Sequence, residues 1–97
     1  MDLAALTLAA FEPLVGERFT IDPGTAPAVE LVLEAASAAG DRPGGRQPFS
    51  LTFRGPPDPL LPQATYRLEH DTFGAPEIFV VPIGRDAGGV RYEAIFT

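Results

Sequence analysis

The chain has 97 residues, a formal net charge of −6, seven arginines, and neither lysine nor cysteine. That length makes a single domain, residues 1–97, able to bury one modest core without staples. The missing cysteine excludes disulfides, zinc–thiolate sites and thiol nucleophiles, and the acidic balance argues against nucleic acid, whose phosphates need a positive footprint.

In chain order, the opening segment over 1–11 is apolar but carries Asp2 where a signal peptide needs positive charge. It is also far shorter than the ~20 residues that span a bilayer. It reads as part of the fold of a soluble, non-membrane protein expected in the cytoplasm, with export by another route left open. Thr7 is placed to cap a short helix through Leu8, Phe11 and Leu14, which Pro13 limits in length.

Period-two alternation between turn clusters then marks short, half-buried strands. Residues 17–22 set Phe19 and Ile21 against Arg18 and Thr20. Residues 28–36 turn Val29, Leu31, Leu33 and Ala35 inward and Glu30 and Glu34 outward, although 35–39 also suits the start of a helix. Residues 48–54 alternate Phe49, Leu51 and Phe53 with Ser50, Thr52 and Arg54. The segments 65–70 and 90–96 repeat the pattern, with Tyr66 and Leu68 inward in one, and Val90, Tyr92, Ala94 and Phe96 in the other.

Residues 77–83 differ. Phe79, Val81 and Ile83 form one apolar face and Ile78 and Val80 the other. Such a strand needs cover on both sides, and the N-terminal segment is the expected cover. Pro82 cannot donate to a ladder and so marks an edge or a bulge. Tight turns are expected at 22–24 and 71–74, with longer connections over 40–46 and 84–89. The prediction is an all-β domain, a small antiparallel six-stranded meander closing into a barrel or a compact sandwich. A short N-terminal helix would cover one strand or a barrel end.

Catalytic chemistry finds little support. His70, the single histidine, lies in Glu69-His70-Asp71. Neighbours on a strand point to opposite faces, so Glu69 does not naturally meet its ring, and a surface histidine at a strand end is expected. Ser37 and Ser50 lack the setting of a strained nucleophile. The acidic residues lack calcium-loop spacing, and the glycine-rich loops lack the lysine and helix of a phosphate cradle. Glu30, Glu34, Glu69 and Glu93 most simply pair across strands with Arg18, Arg67 and Arg91. No cofactor, metal or catalytic residue is expected.

What remains is the loop over 54–63, which packs four prolines into seven residues. Proline lowers the entropy of the unfolded loop, so Leu60 and Leu61 would be presented at small ordering cost. They either plug the barrel end beneath Phe53 and Tyr66 or dock a partner, and one leucine can do each. Arg54 and Asp58 are expected to pair at the loop's base, and the candidate contact residues are Arg54, Asp58, Pro59, Leu60, Leu61 and Pro62.

Several stretches together resemble a small bacterial all-β family. They are Phe11-Glu12-Pro13-Leu14-Val15-Gly16-Glu17, Pro48-Phe49-Ser50-Leu51 with Phe53-Arg54-Gly55-Pro56, Asp58-Pro59-Leu60-Leu61-Pro62-Gln63, Leu68-Glu69-His70, Val81-Pro82-Ile83-Gly84 and Tyr92-Glu93-Ala94-Ile95-Phe96. That family is a domain of unknown function about as long as this chain. The resemblance implies that the proline loop belongs to the family's pattern and that members are encoded near phage-tail-collar-type proteins. It brings no catalytic residues.

Two readings follow. In the first, a non-enzymatic interaction or assembly module uses loop 54–63 to bind a protein partner or its own copy. In the second, a small-ligand-binding barrel or an enzyme uses the interior, with Tyr66, Tyr92 and His70 as polar handles. The first is preferred, because a barrel this narrow leaves little room inside.

Overall fold

A computed structural model describes residues 6–21, 28–39, 47–58 and 60–96. The turn at 22–24, the loop over 40–46, the N-terminal stretch 1–5 and Pro59 lie outside the described residues. Helix α1 spans Leu8–Phe11 and begins where the Thr7 hydroxyl accepts the Ala10 amide at 3.2 Å. Pro13 falls in a single 3-10 turn, Glu12–Leu14, so the helix ends after four residues.

Six strands follow: β1 Arg18–Ile21, β2 Val29–Ala38, β3 Phe49–Gly55, β4 Ala64–Arg67, β5 Glu77–Asp86 and β6 Gly89–Phe96. All neighbouring pairs are antiparallel, in the order β1-β2-β3-β6-β5-β4. The meander therefore runs in two turns of three strands each, β1–β2–β3 and β4–β5–β6, joined where β3 pairs with β6. The sheet curls into a half-barrel. Its outer strands approach at one bridge, where Thr20 and Glu69 exchange backbone hydrogen bonds of 2.8 and 2.9 Å.

Alternation sets the core. Phe19, Ile21, Leu31, Leu33, Phe49, Leu51, Phe53, Ile78, Val80, Val90, Tyr92 and Ala94 all point inward and are buried. Four local departures from the expected pattern have physical causes. A bulge between Leu33 and Ala35 leaves Ala35 exposed, so Ala36 opposes the inward Leu51. Strand β2 runs on to Ala38, because pairing with β3 captures the stretch that also suited a helix. The predicted loop over 84–89 is mostly strand, since β5 continues past a bulge between Pro82 and Gly84 and closes on β6 through a tight turn at Ala87 and Gly88. Strand β4 is shorter than expected, and Glu69 and His70 form isolated bridges beyond it.

The described part of the N-terminal segment, from Leu6 on, packs at the barrel end through Phe11 and not on the outer face of β5. The Phe11 ring lies 4.8 Å from that of Phe73 and 6.0 Å from those of Phe49 and Phe96. Phe79 and Ile83 therefore stay about half exposed, as does Ile95 on β6.

Candidate interaction surface

Loop 54–63 carries the first meander into the second, and each strand of the second meander reaches back to hold it. The Arg85 guanidinium (β5) donates to the Pro57 carbonyl at 2.9 Å. The Tyr92 hydroxyl (β6) accepts the Leu61 amide at 3.0 Å, and the Tyr66 hydroxyl (β4) donates to the Pro62 carbonyl at 2.7 Å. Burial pushes the Tyr66 phenol up from its ordinary value, with a smaller contribution from Tyr92, so it stays a donor.

These bonds separate the two leucines. Leu61 is 5% exposed and belongs to the core, whereas Leu60 is 51% exposed. One leucine plugs and its neighbour is presented. Asp58 and Pro62 are exposed beside it. Pro59 lies outside the described residues.

The expected pairing of Arg54 with Asp58 does not occur. Arg54 lies on the outer face, where its Nε donates to Glu34 at 2.8 Å and its Nη1 to Asp86 at 2.9 Å. Arg91, directly opposite on β6, reaches the same two carboxylates at 3.6 and 3.4 Å. Two arginines that would repel across the ladder are thus bridged by two shared carboxylates. The bulge after Leu33 carries Glu34 to this position, and the β5–β6 turn brings Asp86, whose Oδ1 also accepts the Gly88 amide at 2.8 Å. Bonding to Glu34 first, then Asp86, holds the Arg54 guanidinium above its ordinary value. The Arg54 bond, with the Gly88 amide next, holds the Asp86 carboxyl below its own. Of the other expected pairs, Arg18–Glu30 forms at 3.7 Å between exposed side chains, a geometry that contributes little.

His70 is not a surface residue. Its side chain is 5% exposed, and its ring lies 5.0 Å from that of Phe19. Nε2 is 2.5 Å from Glu17 Oε1, and Nδ1 faces the amides of Phe73 at 3.0 Å and Thr72 at 3.2 Å. An amide N–H only donates, so Nδ1 is the bare nitrogen and Nε2 carries the proton. Both nitrogens are engaged, and neither serine is among their partners. Glu69, as its position on the strand implies, is not its partner. The sequence distance between Glu17 and His70 hides this pair from local inspection.

Among the described residues no group of three or more His, Cys, Asp or Glu side chains is arranged to hold a metal ion. None of their helices is long and apolar enough to cross a membrane. An open groove of about 390 Å³ at the loop's base is lined by Glu30, Val32, Arg54, Gly55 and Pro56, together with Ala28 and Gly88.

No curated protein and no solved structure matches the chain. One family does match, over residues 6–96, and its description is a domain of unknown function, DUF6916. That span takes in the short helix, all six strands and the proline loop, and the chain belongs to the DUF6916 family.

Proposed function

We propose that the chain is a non-enzymatic interaction or assembly module that presents loop 54–63 to a protein partner or to a second copy of itself, with Leu60 as the anchor. The observation that carries this reading is the exposure of Leu60, 51%, on a loop whose backbone is held by side chains from three strands. A segment already ordered loses little conformational entropy on binding, and one aliphatic anchor beside a carboxylate, Asp58, suits an apolar pocket with a basic rim. An association with phage-tail-like or tail-collar-type systems rests on the family resemblance and is carried as the setting of this proposal.

The interior alternative has less support. Of its three polar handles, the fully buried Tyr92 spends its hydroxyl on Leu61, the Tyr66 hydroxyl donates to Pro62, and His70 is engaged at both nitrogens. Affinity capture from the host's lysate tests the proposal, with wild type beside Leu60→Ser. Proteins enriched by wild type and lost with the variant support it. Capture that ignores the substitution, or no capture at all, contradicts it.

A further inference from the structure

The turn that follows His70 is fastened by the histidine's own ring. The backbone of His70 and Gly74 forms a bridge, with the His70 amide donating to the Gly74 carbonyl at 2.8 Å and the return bond at 3.3 Å. Gly74 has φ +108, a conformation that glycine accepts and other residues avoid. Between these two positions, the amides of Thr72 and Phe73 converge on the single lone pair of Nδ1, with the Thr72 hydroxyl at 3.4 Å as a weaker neighbour. Phe73 in turn packs on Phe11 at 4.8 Å, across the end of the half-barrel.

We propose that residues 70–74 are a pH-operated flap, released when His70 takes up a proton and closed when it is neutral. The chemistry is geometric. An imidazolium has an N–H at both nitrogens. Protonation at Nδ1 would set that N–H against two amide N–H groups that now donate to it, and the lone pair they share would be gone. The amides of Thr72 and Phe73 must then turn to water, and Phe73 leaves Phe11.

The groups around the ring decide which part moves. From the segment before β1, Glu17 faces Nε2 and is, among the described residues, the one acid in contact with the ring. From β1, the ring of Phe19 packs against it. From the turn, Thr72 contributes its hydroxyl and Phe73 its ring. Glu69 and Asp71 flank His70 in sequence, are exposed, and do not bond to the ring. The Glu17 carboxylate attracts the imidazolium, so the ring stays where it is while the turn lets go. Upstream, the Thr20–Glu69 bridge holds the chain on β1, which confines the motion to the residues after His70. Opening exposes the aromatic end formed by Phe11 and Phe73, a surface separate from loop 54–63.

The test is nuclear magnetic resonance on the full chain, lowering the pH from about 8 to about 5, the range in which an ordinary histidine changes charge. The His70 ring resonances report the proton, and hydrogen-exchange protection factors report the amides of Thr72 and Phe73. The Leu68 amide, bonded to the Pro76 carbonyl at 2.9 Å, is the internal reference. As the ring titrates, protection at Thr72 and Phe73 is expected to fall on the order of tenfold relative to Leu68. In His70→Asn, a short carboxamide oxygen takes over the role of Nδ1 without titrating, and protection is expected to be independent of pH. A ring that titrates while both amides keep their protection would overturn the proposal. So would a ring that stays neutral throughout, or a variant whose amides lose protection as the wild type's do. The wild-type measurement decides by itself if the variant fails to fold.

Discussion

The Leu61 amide and the Tyr92 hydroxyl meet at 3.0 Å inside the half-barrel, joining the middle of the proline loop to the central strand β6. Tyr92 is fully buried, so its hydroxyl has no water to fall back on. Tyr92→Phe removes the acceptor and keeps the ring, leaving the Leu61 N–H buried without a partner. The expected cost is about 1–3 kcal/mol, read as a lower urea midpoint with an unchanged slope. Loosening of the loop should accompany it, seen as faster exchange of the Leu61 amide.

The two leucines make opposite demands on substitution. Leu61→Ala empties a core position and is expected to cost about 2–5 kcal/mol. Leu60→Ser changes a side chain that is already half in water, and stability should stay within about 0.5 kcal/mol of wild type. Chemical denaturation of the two single variants distinguishes them. Replacing both together would merge a folding defect with a surface change, which is why the single variants are the informative ones.

Gly88 and Gly89 close the β5–β6 turn for different reasons. A Cβ on Gly89 would overlap the Gly55 backbone carbonyl, and its φ of +123 disfavours any side chain. Gly89→Ala is therefore expected to cost more than about 1 kcal/mol. A Cβ on Gly88 would meet the Arg54 guanidinium and, less closely, the Asp86 carboxylate, both side-chain ends that can move aside. Gly88→Ala should consequently cost less than Gly89→Ala and act mainly by weakening the Arg54–Asp86 contact. Thermal melts of the two variants give the order directly.

The Asp86 carboxyl is held below its ordinary range chiefly by Arg54. A depressed acid stabilises the fold at pH values above its unfolded titration, near ~3.9, and that contribution disappears as pH falls through the lower folded value. Wild type should therefore be more stable than Asp86→Asn at neutral pH, and the two should converge in strong acid. Denaturation curves across the acid limb test this. A gap that persists unchanged at the lowest pH would mean that the carboxylate's charge is not its source.

Much of the fold is legible in the alternation of residues. Phe19 and Ile21, Leu31 and Leu33, Phe49, Leu51 and Phe53, and Val90, Tyr92 and Ala94 all face the core as their spacing requires. Pro82 marks a bulge, as a residue without an N–H must inside a ladder. Relations between distant segments are not encoded locally. The shared carboxylates of Arg54 and Arg91 depend on the pairing of β3 with β6 and on a bulge that slips β2 by one residue. Glu17 and His70 meet because the curl of the sheet brings its outer strands together.

The apolar outer face of β5 shows the same limit. Phe79 and Ile83 imply a cover. The helix is drawn instead to the barrel end, where Phe11 finds three aromatic partners. At the loop, local sequence identifies the rigid segment and its two leucines. Only the position of Tyr92 decides which of them turns inward.

The most direct test of the central claim places a photoreactive amino acid at position 60 in one sample and at position 95 in another, and irradiates each in the host's lysate. Ile95 is the more exposed of the two side chains, 62% against 51%, and lies away from the loop on β6. A discrete cross-linked protein, or a cross-linked dimer, from position 60 and none from position 95 is the predicted result. Cross-links from position 95 alone, or from neither position, would contradict the account and move the search for a binding surface off the proline loop.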